Sequence, residues 1–162
     1  MDKPVTVDDL PLLERRRIEA MVLVPVIRAM QARFGTVEVN EVVGQAIRDL
    51  AHAQAAERAQ ARGPVATVVE LRKGFRSGPI SEGSLTIDIT TDESDDTAFG
   101  FDVKHCQFVD MYHELGADDL GFLLSCNRDF ASFAGMAPAL DFDRTQTRME
   151  GAAFCDFRFR AR

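Results

Sequence analysis

The chain has 162 residues, 46% hydrophobic and 28% charged, which is globular rather than disordered composition. Its net charge of -7 excludes a general nucleic-acid binder, because phosphate affinity comes from clustered Lys and Arg; an anionic ligand would need a local basic group. No apolar run approaches the roughly 20 residues that span a bilayer, Met1 to Leu10 is too polar for a signal peptide, and three unpaired-looking cysteines suit a reducing cytoplasm, so no membrane role is expected.

Helical spacing predicts a first helix from Pro11 to Phe34, capped by Asp8 or Asp9 and ended at Gly35. Ile18, Met21, Val22, Val26 and Ala29 form its expected buried stripe, and Pro25 should kink it. A second helix follows from Val37 to Ala61, with Val39, Val43, Ala46, Leu50 and Ala53 inward and His52 on the surface. Its alanine-rich later half is expected to be exposed or packed on another subunit, so a homo-oligomer through the N-terminal helices is anticipated. Val65 to Leu71 reads as one or two helical turns, and Gly74 to Gly83 as a loop, either a connector or a lid carrying Phe75 and Arg76.

The period then changes to two. Leu85, Ile87 and Ile89 alternate with polar residues, and after an acidic loop from Asp92 to Asp96 so do Phe99, Phe101 and Val103. Pairing Ile87 with Phe101 makes a hairpin with one apolar face. Two helices are predicted next, Cys106 to Leu115 and Asp118 to Ala134, then a second hairpin from Leu140 to Met149 and Ala153 to Arg160, turning at Glu150-Gly151. The fold expected is α+β: an antiparallel four-stranded sheet of two hairpins with helices packed on one face, preceded by a long N-terminal helical pair. Residues 1–162 are read as one domain, with a helical part at 1–63 and the candidate site in 64–162.

Charges fix the register of the second hairpin. Setting Asp143 opposite Arg158 and Asp141 opposite Arg160 avoids the clash of Arg144 with Arg158 that a one-residue slip would create. Arg144, Gln146, Arg148 and Cys155 then share the face of Phe142 and Phe157. A half-buried Arg144 needs a carboxylate, from a ligand or from the protein itself, whereas Arg148 near the tip should be exposed.

Cys106 opens a helix, where amides and dipole lower a thiol pKa, and the adjacent His105 would lower it further. Cys126 and Asp129 stand one turn apart between Phe122 and Phe133, so Asp129 must be paired or raised in pKa, which makes it the acid/base candidate. His113 with Asp110 reads as a solvated face. A zinc site from Cys106, Cys126 and Cys155 with Asp129 or His105 stays open, as does a purely structural reading of the thiols.

The run HCQFVDMYHELGADDLGFLLSCNRDFASFAGMAPALDFDRTQTRMEGAAFCDFRFR resembles the C-terminal half of the L-2-amino-thiazoline-4-carboxylic acid hydrolase family. The shared features are Cys106 with Phe108 and Tyr112, the Cys-x-x-Asp of Cys126 and Asp129, the strand residue Arg144, and the Gly-x-x-x-Cys of Gly151 and Cys155. The segment RRRIEAMVLVPVIRAMQARFG is similar too, while Gln107 and His105 depart from the family pattern. The resemblance implies hydrolysis at a C–N bond of a small ring, with a thiazoline-carboxylate type of substrate and an N-carbamoyl amino acid as product. Cys106 or Cys126 would attack, Asp129 would shuttle the proton, and Arg144, Cys155 and His105 would hold the substrate. The alternative is a sensor or carrier that binds a metal or small ligand without catalysis.

Overall fold

In the computed structural model, which describes residues 9–76, 80–92 and 94–162, two long helices come first. α1 (Leu12–Phe34) runs through Pro25 without a break and stops at Gly35, whose φ of 94° suits a residue lacking a Cβ. α2 (Thr36–Arg62) leaves directly from that turn. Pro11, rather than Asp9, takes the N-cap position of α1; Asp8 lies outside the described residues.

Both predicted helix stripes need correction. On α1 it is Ala20 and Ile27 that are buried, with Leu23, Val24 and Met30 packed beside them. Ile18, Met21, Val22 and Val26, the expected core stripe, are exposed. The helix has two apolar faces, and periodicity alone does not say which one its own chain covers. On α2 the buried line is Val39, Gly44, Ile47, Ala51 and Ala55, whereas Ala46, Leu50 and Ala53 face outward.

α3 (Val68–Arg76) is longer than the one or two turns expected from Val65 to Leu71. It carries Phe75 into the aromatic core, 4.8 Å from the Phe101 ring. Of the expected connector or lid from Gly74 to Gly83, residues 80–83 form a 3-10 turn and 77–79 lie outside the described residues. Glu93 of the acidic loop lies outside them as well.

Strands β1 (Leu85–Ile89), β2 (Ala98–Cys106), β3 (Leu140–Asp143) and β4 (Cys155–Ala161) form one antiparallel sheet in the order β1-β2-β4-β3. Two hairpins thus join along β2 and β4, as the α+β reading expects. The charge argument holds: Asp143 pairs with Arg158 and Asp141 with Arg160. In the first hairpin, Ile87 pairs with Val103 and Ile89 with Phe101. That is a slip of two residues from expectation, which leaves the same side chains on the same face. Phe99, Phe101, Phe157 and Phe159 pave the inner face, and Phe101 stacks on Phe157 at 4.9 Å. On the outer face Arg158 bonds Asp102 at 2.7 Å.

Helices α4 (Gln107–Glu114), α5 (Asp118–Gly121) and α6 (Arg128–Met136) follow β2, with a π-helical turn at Phe122–Cys126 between α5 and α6. The single helix expected from Asp118 to Ala134 is therefore interrupted. α6 lies close against α2 because Gly135 has no side chain: a Cβ there would stand 2.7 Å from the His52 carbonyl oxygen. Gly135→Ala should therefore destabilise by about 1–3 kcal/mol in urea unfolding, as overpacking does. Gly74→Ala, a helical position with open space around it, should not.

One core lies between α3, α4, α6 and the sheet; another joins α1 and α2 to α4 and α5. Leu13 and Met149 pack on both. No helix among the described residues is long and apolar enough to cross a membrane.

Candidate functional site

Two local irregularities aim the site residues. In the β1–β2 ladder His105 pairs with Thr86 and Val103 with Ile87, so Lys104 is the extra residue of a bulge. The bulge resets the alternation. Cys106 therefore joins the buried cluster of Val103, Cys155 and Phe157, while His105 turns outward. His105 is 53% exposed and faces Asp110 at 3.4 Å, which places it outside the thiol cluster.

The second irregularity is the π turn, closed by the Asn127 amide donating to the Phe122 carbonyl at 2.9 Å. An added residue per turn rotates everything after it, and such turns gather at functional sites. Here it carries Cys126 and delivers Asp129 in the first turn of α6. Phe130, one turn after Cys126, faces the Arg144 guanidinium as well. Gly121 allows the close packing before the turn, since a Cβ there would overlap the Met149 sulfur.

Arg144 follows the end of β3 and is almost wholly buried. Its Nη1 donates to the Asp129 carboxylate and its Nη2 to the Cys126 carbonyl at 3.2 Å. The rings of Phe122, Phe130 and Phe157 surround the guanidinium at 5.5 to 5.8 Å. Of the two partners foreseen for Arg144, the structure has the internal carboxylate. Arg148, expected to be exposed, is half-buried, and its amide donates to the Cys155 sulfur at 3.2 Å.

Cys106 and Cys155, from distant stretches, share one buried core cluster, and Cys126 lies within the electrostatic reach of both. All three are free. The low thiol pKa expected for Cys106 is not found. Burial pushes it up, and this outweighs the Phe108 and Val109 amides that pull it down. Burial raises Cys155 and, by far the most, Cys126. These are protonated thiols at rest.

Asp129 behaves as its surroundings predict. Burial pushes its carboxyl up to about 6, and Arg144 only partly offsets that rise. About a third of its side chain, 31%, still meets solvent, so a proton can reach it.

Sequence reasoning missed Tyr112, Arg16 and Arg128 as neighbours of this cluster. Burial raises the Tyr112 phenol to about 12, against the pull of Arg128 and Arg16, and it lies within the field of Cys126. Nothing in helical periodicity marks Arg128, since its environment depends on the π turn that precedes it.

Two surface hollows open elsewhere. One of about 590 Å³ lies between α2 and the π turn and shares Phe122 with the Arg144 cage. Another of about 330 Å³ lies beside His105 and Asp110. Neither is lined by a cysteine, so neither hollow brings Cys106, Cys126 or Cys155 to a ligand. Among the described residues no three His, Cys, Asp or Glu side chains are grouped so as to hold a metal ion.

Comparison with known proteins gives three findings. The family model described as L-2-amino-thiazoline-4-carboxylic acid hydrolase matches residues 15–159. No curated protein matches significantly. Among solved structures, a trafficking protein particle complex subunit 3 from Naegleria fowleri, covalently bound to palmitic acid, shares the fold. It has a TM-score of 0.51 and 8% identity, over 92% of this chain and 96% of that one. The phenol-responsive sensory domain of the transcription activator PoxR, with phenol, aligns at a TM-score of 0.43 and 9% identity, over 90% and 74%.

Proposed function

This chain belongs to the L-2-amino-thiazoline-4-carboxylic acid hydrolase family, and on that premise we propose that it hydrolyses a small cyclic amidine or amide-like ring, with Asp129 as the proton-transferring group. The observation that carries the reading is a carboxyl raised to about 6, held by a caged guanidinium one turn from a thiol. A general base works best when its pKa lies near the operating pH.

In this reading the Asp129 carboxylate takes a proton from water as the water oxygen adds to the amidine carbon. The tetrahedral carbon then expels the ring sulfur, the cleavage that leaves an N-carbamoyl product; the thiolate takes the proton held by Asp129, and the remaining hydroxyl proton passes to the ring nitrogen as the carbonyl forms. One water enters and one ring bond breaks. A covalent route through Cys106 or Cys126 would first have to remove a proton that burial holds in place, so the water route is favoured. Cys106, Cys126 and Cys155 are assigned to substrate contact. Free thiols fit a reducing compartment such as the cytoplasm.

The test is incubation with L-2-amino-thiazoline-4-carboxylic acid and mass spectrometry of the small molecule and of the intact protein. Gain of one water by the former, with no adduct on the latter, is the result expected. Saturable binding without product would replace this reading with a ligand-binding one.

We also propose that two copies pair through α1. Its exposed face, Ile18, Met21, Val22, Pro25, Val26 and Ala29, is self-complementary under a two-fold axis. Antiparallel pairing centred between Leu23 and Val24 sets Ile18 on Ala29, Met21 on Val26 and Val22 on Pro25. The same register places Glu14 against Arg33. Light scattering should give a dimer for the native chain and a monomer for Met21→Glu with Val22→Glu; a native monomer at micromolar concentration would discard the pairing.

A further inference from the structure

A substrate carboxylate needs a cation, and Arg144 is not free to supply it. Its Nη1 and Nη2 already donate to Asp129 and the Cys126 carbonyl, and three rings surround it. Another guanidinium in the same neighbourhood has spare capacity. Arg128 precedes Asp129 on α6, and only 7% of its side chain meets solvent. Its Nε donates to the Leu124 carbonyl at 2.7 Å and its Nη2 to the Glu19 carboxylate at 3.0 Å. Its Nη1 is buried and, among the described residues, has no acceptor. A buried charged donor without a partner is the exception in folded proteins and calls for an explanation.

Charge balance points the same way. Arg16, on α1, bonds both oxygens of Glu19 at 2.8 and 2.9 Å, so one carboxylate serves two guanidinium groups. Arg16 and Arg128 also act on Asp129 across the cluster. Arg16, Arg128 and Arg144 set against Glu19 and Asp129 leave one positive charge over, in largely buried surroundings. The nearby phenol of Tyr112 does not supply an anion near neutral pH, because burial holds its proton.

We propose that Arg128, through Nη1, and Arg16 form the receptor for the substrate carboxylate, beside Cys126 and Asp129. The receptor would hold the acid group while the amidine carbon meets Asp129. It also gives α1 a part in the site, because Arg16 and Glu19 both come from that helix. The assignment rests on the hydrolase reading for the identity of the ligand, not for the preference of the site for a carboxylate.

Calorimetry with L-2-amino-thiazoline-4-carboxylic acid and its carboxamide separates the two questions. The native protein should bind the acid roughly tenfold or more tightly than the amide, since a site built around charged donors rejects a ligand that lacks their acceptor. In Arg128→Lys and in Arg16→Gln, each checked for folding by circular dichroism, the ratio should fall toward one. If Arg128→Lys does not fold, Arg16→Gln decides. A native protein that binds the acid no better than the amide, or binds neither, overturns the receptor; so does a ratio that survives both changes. Carboxylate preference without ring opening would leave the receptor standing and remove the hydrolase reading.

Discussion

Asp129→Asn is expected to lower kcat by about 10²–10⁴-fold with little change in KM, the range that positioned proton transfer contributes. The amide is nearly isosteric, and its oxygen can still accept from Arg144 Nη1, so the cage and the binding surface should persist. What disappears is the group that takes a proton from water. In the native protein kcat/KM should fall with acidification below about 6, because the carboxyl raised to that value becomes protonated and ceases to be a base. The residual activity of Asp129→Asn should lack that limb. Steady-state kinetics from pH 5 to 8 measure both effects. A variant that keeps native turnover, or keeps the acid limb, would transfer the proton to another group.

Much of this arrangement can be read from the sequence, and the residues that escape reading share a cause. The β3–β4 register follows from Asp141, Asp143, Arg158 and Arg160, because like charges facing each other are costly and that holds in any environment. Asp129 as a perturbed acid follows from the phenylalanines around it. The direction of Cys106, by contrast, depends on one extra residue at Lys104, and no composition signal marks where a ladder will bulge. The π turn likewise interrupts a stretch that reads as regular helix from Asp118 to Ala134. For Cys106 the helix N-terminus correctly predicts amides that favour the thiolate, but the size of the opposing desolvation appears only once the core is assembled. The two faces of α1 are equally apolar on paper, and only packing shows which is covered by the chain itself.

The Arg144–Asp129 pair gives the sharpest test of the electrostatics, through Arg144→Met. Methionine fills much of the same volume among Phe122, Phe130 and Phe157, so most of the ring packing can survive. The carboxylate it leaves behind is uncompensated; breaking a fully buried pair costs about 3–5 kcal/mol, and the solvent that meets part of the Asp129 side chain should bring the loss to the lower end of that range. That loss should depend on pH. A carboxyl whose folded pKa lies above its ordinary value of 3.8 favours the folded state fully below that value, and the advantage is lost as pH rises through the folded pKa. Arg144 is the largest influence holding the Asp129 pKa down, so its removal moves the folded value above about 6 and extends the loss toward neutral pH. Urea midpoints should therefore separate native and variant strongly at pH 8 and much less at pH 5, where the variant's Asp129 is neutral. Adding Asp129→Asn should recover part of the loss at pH 8, because the stranded charge is gone, and the double-mutant cycle isolates the pair. Equal destabilisation at both pH values would mean that Arg144 serves by packing against the rings, and Asp129 would then need another reason to sit in its apolar surroundings.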